Sequence, residues 1–223
     1  MAMRKYHNYI KETLLPKGSG LLLDFGCGHG GDIHKWDRKK VSHVIAIDPD
    51  AESIREAQRR CTNENYLFFT DDWTYVRDCP ERCVDVITCH FVIHYFDRPQ
   101  QIQLLQEFYR VLVDGGRVIL TFMEGSKVFA FVNANGNNSV IQIDLNFPKI
   151  TVNISDTHYF KCKGISDEFL VFQKFIQIES SKLGFKRCEI SAFADYYKTY
   201  TGELLNNEEK EASLLFAAVV LYK

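Results

Sequence analysis

A chain of 223 residues with 46% hydrophobic and 25% charged residues can build one sizeable core under an ordinary globular surface. Its formal net charge of −2 excludes a broad electrostatic footprint for long nucleic acid and leaves local recognition of a few nucleotides open. No apolar run reaches the roughly 18 residues of a membrane span, and "MAMRKYHNYIKE" carries no apolar signal core, so an intracellular, cytoplasmic protein without a membrane partner is expected. Seven cysteines, at 27, 61, 79, 83, 89, 162 and 188, form no CxxC and no metal-ligand spacing with histidine; they read as reduced, mostly buried thiols, with no metal site.

In chain order, residues 4–15 read as an amphipathic helix closed by Pro16 and Gly18. "GLLLDF" is a short apolar run suited to a fully buried strand, followed by a glycine loop and a helix through about Trp36. "SHVIAID" is a second strand and "PDAESIREAQRRC" a helix opened by Pro49 and Asp50. "NYLFFT" and "CVDVITCHF" are the third and fourth strands, "RPQQIQLLQEFYRVLV" a helix stopped by "DGG", and "GRVILTFM" the fifth strand. Residues 124–165 break the alternation and read as a β-rich insertion with "VIQIDL" and "KITVNI" as short strands. "SDEFLVFQKFIQIESSKLGF" reads as a helix capped by Ser166. "KRCEISAF" and "ASLLFAAVVLYK" read as two last strands whose short connection predicts antiparallel pairing. The expected architecture is one α/β domain over residues 1–223, with a mostly parallel sheet, helices on both faces and an antiparallel last strand. Trp36 and Trp73 read as packing residues.

The glycine loop is "LLLDFGCGHGGDIHKW", residues 21–36. A strand, a glycine-rich turn and a helix start form a site for a nucleotide-like ligand against bare backbone, although the same glycines also suit a tight turn alone. The spacing is GxGxGG, not the GxGxxG of dinucleotide sites. Asp48 ends the second strand, where a carboxylate accepts from both ribose hydroxyls of NAD or of S-adenosylmethionine alike. Asp24, beside the loop, favours the second ligand, because it would repel a pyrophosphate and suit an ammonium group. The antiparallel ending points the same way, to a Rossmann-like class I methyltransferase.

Four segments resemble the messenger RNA cap guanine-N7 methyltransferases: "LLDFGCGHGGDIHKW" their glycine motif, "HNYIKETLL" their N-terminal helix, "CHFVIHYFDRPQQ" their Phe-x-x-His-Tyr motif, and "DEFLVF" the segment with their guanine-binding glutamate. They fall in the family's order over nearly the whole chain. The resemblance implies S-adenosylmethionine as methyl donor, 5′-capped RNA as substrate and a site without metal. It implies a donor site of Lys11, Asp24, Gly26, Asp48, Asp72, His90, Phe91 and Val92, with Lys11 on the ligand carboxylate, Asp48 on the ribose and Asp72 on the adenine amine. On the cap side it implies His7, Asn8, His29, Lys35, Arg60, His94, Tyr95, Glu168 and Phe216. Three positions depart from the family: His29 stands for a lysine near the cap phosphates, His90 for a glutamine and Phe216 for a tyrosine. Cap binding is therefore expected to vary between about pH 6 and 8. The compact length resembles the methyltransferase part of a large DNA virus's capping enzyme. That implies triphosphatase and guanylyltransferase domains in the same chain, and a viral factory or virion as the location.

The chemistry fits these residue types. A carboxylate such as Glu168 accepts from guanine N1–H and N2–H₂, a ring N–H of His94 donates to O6, and aromatic faces supply stacking of about 1–3 kcal/mol per base. Lys35, Arg38, Lys39 and Lys40 form a basic cluster able to meet phosphates. Guanine N7 has an in-plane lone pair and no proton to lose, so no general base is expected and the protein's task is positioning. A catalytically silent stimulatory subunit and a small-molecule methyltransferase remain as alternatives; the intact glycine loop, Asp24 and Asp48 argue against the first, since a silent fold need not keep them.

Overall fold

The computed structural model describes residues 2–155 and 165–223. Its elements are α1 (Ala2–Leu14), β1 (Leu21–Phe25), α2 (Ile33–Lys39), β2 (His43–Asp48), α3 (Ala51–Arg60), β3 (Tyr66–Thr70), α4 (Trp73–Asp78), β4 (Val84–His90), α5 (Arg98–Val111) and β5 (Leu112–Met123). Then follow α6 (Gly125–Asn133), β6 (Ile141–Asn146), β7 (Lys149–Ile154), β8 (Ile165–Phe169), α7 (Gln173–Leu183), β9 (Arg187–Ala192), α8 (Asn207–Leu214) and β10 (Phe216–Tyr222).

Seven strands form one sheet in the order β3-β2-β1-β4-β5-β10-β9, parallel through β5, with β10 antiparallel to both neighbours. The apolar run of β1 follows from its central place. Leu22 enters the core under Trp36, Val44 and Ile54 on one face, while Leu23 and Phe25 enter the core with Leu105 and Phe108 on the other. The chain runs outward from β1 to β3 and returns to β4 on β1's other side, so the loops after β1 and β4 diverge at the carboxyl edge of the sheet. That divergence makes a crevice, where open α/β sheets bind ligands. Asp50 caps α3 by accepting from the amides of Glu52 and Ser53, and Asp97 with Gln100 forms a capping box on α5.

Four expectations are corrected. Residues 165–169 are not the start of a helix: Ser166 and Glu168 lie on β8, paired to β7 in a second sheet of order β6-β7-β8, and α7 begins only at Gln173. The insertion opens with a helix, α6, and extends to Phe169. The last two strands do pair antiparallel, but a 3-10 segment, Phe193–Lys198, and α8 separate them. Finally, of the described cysteines only Cys89 is fully buried; Cys27, Cys61, Cys79, Cys83 and Cys188 are half-buried, and Cys162 lies outside the described residues.

Candidate active site at the carboxyl edge of the sheet

Two cavities open at this edge and meet at Gly26, Gly28 and His29. The first, about 590 Å³, has apolar walls from Phe25, Ile47, Trp73, Val92 and Phe96, and carboxylates from Asp48, Asp50, Glu52, Asp71 and Asp72. The second, about 530 Å³, is lined by Arg4, Lys5, Lys11 and Arg60, by His7, Asn8, His90 and Phe91, and by Asp32. One side is thus acidic and the other predominantly basic. Trp73, read as a packing residue, lines the first cavity.

The glycines between them serve different ends. Gly26 has φ +79°, and a Cβ there would overlap the Val92 side chain. A Cβ at Gly30 would lie 2.6 Å from Ile33 Cδ1 and 3.1 Å from Ala57 Cβ, so that glycine lets α2 and α3 approach. Gly28 has φ +51° and nothing within 4 Å of its Cβ position, which is open space on the cavity wall. Asp48 anchors the loop: its Oδ2 accepts from the Gly28 amide at 2.8 Å and its Oδ1 from the Asp50 amide at 3.0 Å.

Behind the loop lies a buried charge cluster. Asp32, absent from the sequence-derived site, receives Lys11 Nζ at 2.8 Å and Lys35 Nζ at 2.6 Å. Despite burial, the two ammonium groups hold its carboxyl far below the usual range. Lys35 also donates to Asn8 Oδ1 at 3.0 Å and to the Gly31 carbonyl at 3.1 Å. It is 5% exposed and lines neither of these two cavities, and its ammonium is the internal counter-ion of Asp32. Arg38 is taken by Glu12 at 2.6 Å. Asp24 likewise lines neither cavity. It accepts from Thr88 Oγ1 at 2.6 Å, and burial, then the negative charge of Asp32, raises its carboxyl to about 7. The polar residue Thr88 could have been picked out as the one hydroxyl in the apolar run of β4.

Of the other expected donor-site residues, Asp72 lines the first cavity and accepts from the Thr74 amide at 2.8 Å as the cap of α4. Lys11, His90 and Phe91 line the second cavity, with His90 Nδ1 at 3.1 Å from Thr121 Oγ1. Of the cap-side residues, His7, Asn8, His29 and Arg60 line the second cavity and Tyr95 the first. His7 stacks on Phe91 at 5.8 Å and meets Phe193 and Phe216 edge-on, which joins four distant segments into one aromatic wall. Phe216 itself is 3% exposed and lines neither cavity.

His94 and Glu168 are both buried, 3% and 1% exposed, and they come together from the turn after β4 and from β8. Glu168 Oε1 accepts from Ser166 Oγ at 2.6 Å, but Oε2 stands 3.6 Å from His94 Nδ1, too far for a hydrogen bond. Among the described residues, neither His94 nitrogen nor Glu168 Oε2 has a hydrogen-bond partner. Burial pushes the His94 imidazole down, opposed by Glu168. Three unmatched buried polar atoms, each worth about 1–3 kcal/mol, call for a ligand or water. Neither residue lines a cavity, while their neighbours Tyr95 and Ser166 line the first.

Residues 22–116 match the family model described as "Methyltransferase domain". The fold matches a putative S-adenosylmethionine-dependent methyltransferase from Listeria monocytogenes, with TM-score 0.70 and 14% identity over 100% of this chain and 99% of that one. One from Mesorhizobium loti matches with TM-score 0.64 and 15% identity over 100% and 96%. The mRNA cap guanine-N(7) methyltransferase of Drosophila melanogaster is 27% identical over 88% of this chain and 56% of its own length. That of Schizosaccharomyces pombe is 30% identical over 53% and 38%. The chain thus spans 56% and 38% of the length of these two cap methyltransferases. It has the Rossmann-like fold seen in solved S-adenosylmethionine-dependent methyltransferases, and its sequence is similar to those of mRNA cap guanine-N7 methyltransferases.

Proposed function

We propose that this chain methylates N7 of the guanine cap of RNA, using S-adenosylmethionine. The observation that carries the reading is the pair of cavities of opposite charge meeting at one glycine loop. An acidic, aromatic-walled pocket suits a nucleoside joined to a cationic sulfonium; a basic one suits a chain of phosphates. The open wall at Gly28 and the Asp48 carboxylate beside it fit an adenosine ribose, and Asp72 stands at the same cavity's edge for the adenine amine. Bound there, the cofactor supplies an electrophilic methyl group with a good leaving group.

The chain's own residues then have positioning tasks only. Glu168 Oε2 and a His94 ring N–H are matched to the guanine edge, and Tyr95 offers a half-exposed ring beside them. Their chain neighbours Tyr95 and Ser166 line the first cavity, the side from which guanine approaches them. No proton leaves N7, so no base is required. The substrate is a finished cap, which triphosphatase and guanylyltransferase activities must supply; we propose that such domains act with this one.

The deciding experiment is methyl transfer from labelled S-adenosylmethionine to capped RNA, uncapped RNA and GTP, with transfer to capped RNA alone expected. Label on a small molecule alone would replace this reading. Two variants locate the subsites. Glu168→Gln turns an acceptor toward guanine into a donor. It should weaken cap-analogue binding about 10–100-fold, the worth of a charge-assisted hydrogen bond, while S-adenosylhomocysteine binds as before. Normal binding of both ligands would remove Glu168 from the guanine site. Asp48→Ala should weaken S-adenosylhomocysteine by a similar factor in calorimetry. Asp48→Asn keeps an oxygen for the Gly28 amide and should lose less, and wild-type affinity in Asp48→Asn would mean that Asp48→Ala had removed loop anchoring, not ribose binding.

A further inference from the structure

We propose that Cys79 and Cys83 form a redox dithiol, outside both cavities, which a small-molecule disulfide such as oxidised glutathione converts reversibly into an intramolecular bridge between the end of α4 and the start of β4. α4 ends at Asp78, and Cys79 is its C-cap. The chain then turns back through Glu81 and Arg82, the latter at φ +53°, and β4 begins at Val84, directly after Cys83. That reversal brings the two side chains together. Their thiols interact directly, with Cys79 as donor and Cys83 as acceptor, and the Cys83 thiol donates in turn to the Pro80 carbonyl at 3.0 Å.

The end of α5 holds both sides of this turn. The Arg110 guanidinium donates to the carbonyls of Val76, Arg77 and Cys79 at 2.8, 3.0 and 2.8 Å, while its own carbonyl accepts from the Arg82 amide at 3.1 Å. The Val111 carbonyl accepts from the Cys83 amide at 2.8 Å. The sulfurs are thus placed by fixed backbone and need little movement to bond. Both cysteines are half-buried, and Pro80, Glu81 and Arg82 between them are exposed, so a small solute reaches the pair. Burial pushes both thiols up, opposed at each by the Arg110 guanidinium. The other described cysteines are differently placed. Cys27 and Cys61 donate to the carbonyls of Gly28 and Asn63, Cys188 interacts with Ser180, and Cys89 is fully buried.

The exchange balances in two steps. One cysteine gives its proton to water and attacks a sulfur of glutathione disulfide as the thiolate. The S–S bond of glutathione breaks, and one glutathione leaves and takes up a proton. The second cysteine, likewise deprotonated, attacks the protein-side sulfur of the mixed disulfide and expels the second glutathione. The protein gives up two electrons and glutathione disulfide takes them. Reduced glutathione reverses both steps.

The test is incubation of the whole chain with glutathione disulfide at about pH 8, where thiols lose protons more readily, then alkylation and peptide mapping. A Cys79–Cys83 cross-link without retained glutathione is expected, and excess reduced glutathione should remove it. Cys79→Ser and Cys83→Ser each lack the second thiol and should instead hold a glutathione adduct on the one that remains. The cross-linked protein should unfold at a higher temperature than the reduced one, because the bridge closes a contact already made. Free thiols at both positions under excess glutathione disulfide would overturn the proposal. So would glutathione adducts accumulating at both in the wild type, or a cross-link that lowers the unfolding temperature.

Discussion

Asp32→Ala is expected to lower the unfolding free energy by about 3–5 kcal/mol, the cost of removing one partner from a buried ion pair. Lys11 can turn toward the second cavity, but Lys35 is enclosed and would keep a charge with only Asn8 Oδ1 and the Gly31 carbonyl as partners. Asp24 offsets part of the loss, because the negative charge of Asp32 is one cause of its raised value of about 7. The pH dependence follows from the signs. The depressed Asp32 carboxyl contributes stability that is present above its unfolded value near 4 and is lost as pH falls through the lower folded value. Asp24 acts oppositely: it keeps its proton in the folded state, so its contribution declines as pH rises from about 4 through about 7. Asp32→Ala should flatten that decline. The control is Lys35→Met. Alone it strands the Asp32 charge in part; combined with Asp32→Ala it should recover most of the stability, since a buried pair replaced by apolar groups is often neutral. Urea unfolding showing the two losses simply adding would refute the pairing.

The sheet was legible because its strands are short apolar runs separated by helix caps and glycines: β1 to β5 and their parallel order follow from residues 21–123 alone, although β5 starts at Leu112, before the expected "GRVILTFM". What failed were places where one apolar run crosses an element boundary. "SDEFLVFQKF" carries both a strand and a helix start, and only pairing of Ile150 with Glu168 across β7 and β8 decides for the strand. "EASLLFAAVV" likewise joins α8 to β10 without a break in hydrophobicity. At the site, Asp48 and Gly26 follow from position along a strand and a loop, and both line the first cavity. Asp32 was not legible: it stands at the N-cap position of α2, yet its carboxylate makes no capping bond and turns to two lysines from different helices. The stack of His7, Phe91, Phe193 and Phe216 needs four remote segments, and no local pattern announces it.

Gly26→Ala and Gly28→Ala should separate folding from ligand binding within one loop. Both glycines have positive φ, which costs an L-residue about 1–2 kcal/mol. Gly26 adds a steric term, because its new methyl would overlap Val92, and overpacking of this kind costs about 1–3 kcal/mol more. Its amide also donates to the Ile47 carbonyl at 2.9 Å, which ties the loop to β2 and limits any retreat. Gly26→Ala should therefore lose about 2–5 kcal/mol of stability by the same two terms, and S-adenosylhomocysteine affinity with it, since a displaced Val92 moves along the first cavity's wall. At Gly28 nothing lies within 4 Å of the new methyl, so only the backbone term applies and the fold should lose no more than about 2 kcal/mol. The methyl then projects into the space assigned to the cofactor, and binding should fall at least as far as in Gly26→Ala. Val92→Ala provides the second arm: it should restore the steric share in Gly26→Ala and do nothing for Gly28→Ala. Thermal unfolding and calorimetric titration of the five proteins read both quantities. If Gly28→Ala bound S-adenosylhomocysteine as the wild type does, the open wall at Gly28 would face no ligand, and the cofactor would have to lie elsewhere along the carboxyl edge.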